Sequence, residues 1–230
     1  MRKILSTIIL VSAAMLPTGC GSSQTDDAEN SGAETEDSIM PDDNLEITEL
    51  DKVPLPCTKE ALSAAWKQIG TVDIKKGKSL DYKQNTPSLF ISTDLDDDKH
   101  PEILLRGEQP YAAIFTFVKD SLHLITFVDH PQTGISITQD GVIVRSGSNR
   151  DGSFISQFIR LKNSQTAATG ATVETFTIKN NEVVSEGIEY MLQSDSAITK
   201  VSKEEYQKVA PTQAGTYIED IDGWEDFRKP

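Results

Sequence analysis

Reactive and redox-active side chains are scarce in this sequence: two cysteines, three histidines and two tryptophans in 230 residues. Cys20 and Cys57 form no C-x-x-C pair, and there is no H-E-x-x-H helix, glycine-rich phosphate loop or nucleophile elbow. Thiol redox enzymes, zinc hydrolases, phosphate-loop NTPases and α/β-hydrolases therefore have no local motif to build on. Positive charge is also short, with 22 Lys and Arg against 36 Asp and Glu and a net charge of −14. A chain so acidic has nothing with which to displace counterions from a phosphate backbone, which argues against nucleic acid as a partner. No apolar run reaches the length of a membrane-spanning helix. The longest, Ile4 to Leu16, is broken by Ser6, Thr7 and Ser12.

What is present starts with an address. Arg2 and Lys3 precede that apolar run, the arrangement of a secretory leader. The run ends in Leu16-Pro17-Thr18-Gly19-Cys20, which resembles the lipobox of bacterial lipoproteins, with Pro17 where the family usually has Leu. The resemblance implies cleavage after residue 19 and lipidation of Cys20, hence a protein held on the bilayer by lipid rather than spanning it. An ordinary leader with a chance cysteine is the alternative. From Gly21 to Lys52 there are eleven acidic residues and one basic residue, with Ser, Gly, Thr and Asn between them. Such a segment buries too little surface to offset ordering and is expected to be a self-repelling tether. Gln24-Thr25-Asp26-Asp27 within it is similar to the acidic export signal of surface lipoproteins. The expected division is a leader over 1–19, a lipidated cysteine and tether over 20–52, and a globular domain over 53–230. With Cys20 given to lipid, Cys57 has no disulfide partner and is expected to serve as a small apolar residue beside Leu55.

Within the domain, Thr58 is placed to cap a helix over Lys59 to Ile69 that stops at Gly70. Ala61, Leu62, Ala65, Trp66 and Ile69 make its apolar stripe, which puts Trp66 in the core. From Leu89 the period changes to that of strands. Hairpins are expected around Lys119-Asp120-Ser121, Asp140-Gly141, Asn149-Arg150-Asp151-Gly152 and Asn180-Asn181, with strands over Tyr111 to Val118, Leu122 to Val128, Ile135 to Gln139, Val142 to Arg145, Phe154 to Leu161 and Ala171 to Ile178. Ser202 and Glu205 have capping-box spacing for a second helix, Lys203 to Val209. The pattern predicts a mainly β domain of antiparallel hairpins, forming a sheet, sandwich or partial-propeller-like unit with two short peripheral helices.

The densest feature is Asp94-Leu95-Asp96-Asp97-Asp98-Lys99-His100-Pro101-Glu102, between the apolar runs Leu89 to Thr93 and Ile103 to Leu105. Carboxylates so crowded repel by roughly 1–4 kcal/mol per close pair at ~4 Å, depending on how wet they are. A hard cation with six to eight oxygen ligands removes that repulsion. Strand, D-x-D-x-D-x-x-P-E, strand resembles the calcium loop of FG-GAP and VCBS-type β repeats. It is unlike an EF-hand, because position twelve is Leu105 and both flanks read as strands. The resemblance implies a structural calcium held by side-chain oxygens of Asp94, Asp96 and Asp98, the His100 carbonyl, and Glu102 directly or through water. Lys99 stands where the family usually has Gly, a position requiring positive φ. The bland alternative is an acidic turn neutralised by Lys99 and Arg106. Asp220-Ile221-Asp222-Gly223 is a fragment of the same motif without its later ligands. The hairpins closing in Ile198 to Tyr206 are similar to single-loop bacterial lipoproteins and secreted domains.

Elsewhere, His123 lies in a strand pattern and is expected to face outward, and Asp129-His130 reads as a turn rather than a catalytic dyad. The expectation is a lipid-anchored, non-enzymatic domain of the bacterial cell envelope that binds a glycan or another envelope protein. An envelope hydrolase acting on a glycan or ester through a carboxylate or His site is the alternative.

Overall fold

A computed structural model describes residues 47, 49–72, 80–148, 153–180, 182–194 and 197–229. The leader, Cys20, most of the expected tether, the Asn149 to Gly152 turn and Asn181 lie outside the described residues.

Helix α1 runs over Lys59–Ile69 with the expected ends: the Thr58 hydroxyl accepts the Ala61 N–H at 3.3 Å, and Gly70 leaves the helix at φ 75°. Its stripe sinks Leu62 and Trp66 completely. The chain then forms a short ribbon, β1 (Thr71–Val72) with β2 (Leu80–Asp81). Tyr82 follows, fully buried, and its hydroxyl donates to the carbonyls of Ala112 at 3.0 Å and Val128 at 2.6 Å. Its ring lies 4.8 Å from that of Trp66 and meets Tyr111 and Phe127 edge-on.

Next come the strands of the first main sheet: β3 (Leu89–Thr93), β4 (Glu102–Arg106), β5 (Ala112–Val118) and β6 (Ser121–Phe127). A second sheet begins with β7 (Thr133–Ile137), β8 (Ile143–Ser148), β9 (Ser153–Lys162), β10 (Gln165–Lys179), β11 (Glu182–Gln193) and β12 (Ile198–Val201). After helix α2 (Lys203–Gln207), β13 (Thr216–Tyr217) joins the second sheet beside β7, and β14 (Glu225–Asp226) joins the first beside β3. The orders are β14-β3-β4-β5-β6 and β12-β11-β10-β9-β8-β7-β13, antiparallel at every strand pairing among the described residues. This is the mainly β domain of antiparallel hairpins with two short helices that the pattern predicts, as two main sheets sharing one core.

That core joins Ile91, Ile103, Leu105 and Ile114 of the first sheet to Ile135, Ile137, Ile143, Ile159 and Leu161 of the second. Phe90 to Thr93 and Glu102 to Leu105 are buried at every position, so both faces of β3 and β4 are covered. Helix α2 has the Ser202–Glu205 capping box but buries no residue fully; Tyr206 stands against the rings of Phe158 and Tyr190.

Three local features differ from the expectation. The Asp140-Gly141 connection is three residues long, because Thr138 N–H donates to the Val142 carbonyl and Gly141 N–H to the Thr138 carbonyl. Strand β10 starts at Gln165 rather than Ala171, after a two-residue turn of Asn163 and Ser164, both at positive φ. Within the stretch read as tether, Glu49 bridges Asp222 and Lys52 bridges Thr93.

Candidate metal centre

The acidic loop connects β3 to β4, closed by the pairing of Thr93 with Glu102. It is folded on its first residue. Asp94 Oδ1 accepts the Asp98 N–H at 3.2 Å, and Oδ2 accepts the Lys99 N–H at 2.8 Å. Asp97 and Lys99 turn through the left-handed region at φ 58° and 69°. For a side chain other than glycine this costs about 1 kcal/mol at Lys99.

Glu102, the first residue of β4, is fully buried. Its Oε2 accepts the Leu95 N–H at 2.9 Å and its Oε1 the Thr116 hydroxyl at 3.1 Å. Burial, reinforced by the neighbouring charges of Asp96 and Asp98, pushes its carboxyl up to about 7 despite those two donors. Burial likewise raises Asp96, with Asp98 and Asp94 adding to the effect.

The structure brings together three of the expected ligands. One carboxylate oxygen each from Asp94, Asp96 and Glu102 lie within 4.8 Å of one another. Asp98 is committed elsewhere. Its side chain is only 7% exposed; Oδ2 accepts the Ser164 hydroxyl at 2.7 Å, and Oδ1 accepts the His100 N–H at 2.7 Å and lies 3.4 Å from His100 Nδ1. Burial alone would raise this carboxyl, but the Ser164 and His100 donors outweigh it and hold it below the usual range. The His100 side chain is exposed.

Two residues of the second sheet complete the surroundings, and neither was expected in this role. Ser164 N–H donates to Asp96 Oδ2 at 3.1 Å, which leaves Asp96 Oδ1 buried with no hydrogen-bond partner. Gly141, at φ 74°, lets the loop come close, since a Cβ there would run into the Leu95 carbonyl oxygen. Beside them is a cleft of about 160 Å³ lined by Leu95, Asp96, Asp97, Asp140, Gly141, Arg160 and Leu161, with Asp140 and Arg160 paired at 3.0 Å.

This donor set fits a hard divalent cation. It is all oxygen, the carboxylates repel one another, and an orphaned buried carboxylate oxygen is costly until something positive meets it. The nearby cations do not serve. Lys99 is exposed and in no ion pair among the described residues, and Arg106 donates to the Glu219 carbonyl at 3.5 Å and lies over Trp224.

Among the described residues, the remaining histidines, Asp129 and Cys57 do not converge on a second site. His123 is exposed. Asp129 is paired with Arg145 and accepts the Thr133 hydroxyl, while His130 Nδ1 accepts the Gln132 N–H. Cys57 is a free, half-buried thiol packed against the core, its pKa raised by burial. Compared with protein-family models, with curated proteins and with solved structures, the chain gives no match in any of the three.

Proposed function

We propose that the protein is a lipid-anchored domain of the bacterial cell envelope, non-enzymatic, whose acidic β3–β4 loop holds a structural calcium ion. Cys20 is the lipidation site and the acidic segment after it the spacer. The partner is a glycan or another envelope protein. Asp94, Asp96 and Glu102 supply side-chain oxygens to the ion, with the His100 carbonyl and water available to complete its shell. Two observations carry this reading: the convergence of those three carboxylates, and a buried oxygen on one of them, Asp96 Oδ1, that has no hydrogen-bond partner. The pairing of Asp129 with Arg145, with His130 Nδ1 accepting the Gln132 N–H instead, supports the non-enzymatic half.

The strained Lys99 argues for an affinity in the range of extracellular modules, with Kd roughly 10⁻⁴ to 10⁻³ M. At about 10 mM calcium such a site stabilises the fold by about 1.4–2.7 kcal/mol, a rise of several degrees in Tm. A thermal melt of the purified protein with and without calcium tests this. The rise is expected in the native sequence and not in Asp96→Ala; an unchanged native melt would refute the calcium reading.

A further inference from the structure

We infer that Ser164 is a positioning residue for the ion site, and that through it the β9–β10 turn of the second sheet senses whether the β3–β4 loop is loaded. This rests on the calcium reading above.

Ser164 is buried at 6% exposure, and its two donors reach two different carboxylates of the loop. The N–H holds Asp96 Oδ2 at 3.1 Å and the hydroxyl holds Asp98 Oδ2 at 2.7 Å, across 68 and 66 residues of sequence. It does so from a left-handed backbone at φ 55°, where glycine would be free of strain. Clamping Oδ2 of Asp96 leaves Oδ1 as the oxygen without a partner, the one a cation can take. Holding Asp98 against Ser164 and His100 makes that residue a brace outside the three-carboxylate cluster, which departs from the ligand role implied by the calcium-loop resemblance.

The contact is a joint between sheets. The acidic loop belongs to β3 and β4, and Ser164 to the turn between β9 and β10. Gly141, in the β7–β8 turn, seats the Leu95 carbonyl from the same side. Binding couplings are reciprocal. If calcium draws Asp94, Asp96 and Glu102 inward, the turn that holds Asp96 becomes harder to open. If the turn is loosened, calcium binds less well.

The test combines amide exchange with calcium titration on the whole protein. In the native sequence, calcium chloride should slow exchange of the Ser164 N–H about tenfold or more, the measure of a coupling above about 1.4 kcal/mol, and leave Asp120 in the β5–β6 turn unchanged. Ser164→Ala should weaken calcium binding about tenfold, as expected for loss of one hydrogen bond to a charged group. Ser164→Gly relieves the positive φ and keeps the N–H, so a similar weakening there assigns the loss to the hydroxyl rather than to a damaged turn. Calcium binding with an unchanged Ser164 exchange rate and unchanged affinity in both variants would overturn the inference while leaving the calcium reading intact. No binding to the native protein would remove the calcium reading and this inference with it. Should Ser164→Ala fail to fold, the native exchange rates and Ser164→Gly still decide.

Discussion

The β3–β4 and β10–β11 hairpins are built alike and live differently. Both are antiparallel pairs whose connecting residues contain no glycine. The first is buried on both faces and carries the acidic loop between two sheets. Among the described residues the second runs past its neighbours: β9 pairs with β10 up to Thr175, and β12 pairs with β11 over Tyr190 to Gln193. Beyond those limits Glu182 to Glu189 are exposed at every position, and Ile178 and Val183 are 55% and 64% exposed. Turn chemistry and pairing are enough to make a hairpin; covering its faces is what makes it stable. Glu182, Glu186 and Glu189 on the open strand also discourage edge-to-edge association. The chemistry sits on the covered hairpin because only there can a carboxylate such as Glu102 be kept dry.

Two glycines, Gly141 packed against the acidic loop and Gly187 in the open ribbon, give the widest contrast. Gly141→Ala combines a positive φ with a collision at the Leu95 carbonyl, and should lower stability by about 2–4 kcal/mol in a urea melt. Gly187→Ala, in the open ribbon, meets nothing within 4 Å. Equal losses at the two positions would break the comparison.

Next in size is the pH dependence of Glu102. Its folded pKa of about 7 lies above the ordinary 4.5, so the folded state holds a proton that the unfolded state has released between those values. Metal-free stability from this group therefore falls as pH rises from about 4.5 to about 7, by on the order of 3 kcal/mol in all, and is flat above. Glu102→Gln should flatten that slope, raise metal-free Tm at pH 8 and lose the calcium response. Calcium, which requires the ionised carboxylate, should stabilise the native protein more at pH 8 than at pH 5.

The ribbon should be nearly silent. Ile178→Ser with Val183→Ser should move stability by no more than about 0.5 kcal/mol, as for other exposed sites. The smallest expected effect is a gain of about 0.5 kcal/mol for Gly187→Ala, from the reduced entropy of the unfolded chain. A loss above about 1 kcal/mol in the ribbon double variant would mean that something covers it in solution.

Local signals explain what the sequence made legible. Thr58 and Gly70 bracket α1 at its observed ends because capping and a left-handed stop are decided by neighbouring residues. The Ser202–Glu205 box and the strand–acid loop–strand pattern were readable for the same reason. Long-range partners were not. At Asn163-Ser164 the asparagine is a turn signal, but there is no glycine, and the following Gln165-Thr166-Ala167-Ala168 has no apolar alternation to mark a returning strand. The bonds of Ser164 to Asp96 and Asp98 therefore had no local trace. Gly141 was readable as a turn glycine, but the approach of Leu95 depends on how the two sheets pack. Tyr82 has no local signature because the two carbonyls that hold its hydroxyl are brought in from elsewhere in the chain.

The most direct test of the central claim is a crystal structure grown in calcium, with the ion located by its electron density. The account predicts a density peak about 2.3–2.6 Å from oxygens of Asp94, Asp96 and Glu102, with Asp98 still on Ser164. Those three carboxylates turned apart, with nothing between them at millimolar calcium, would contradict it.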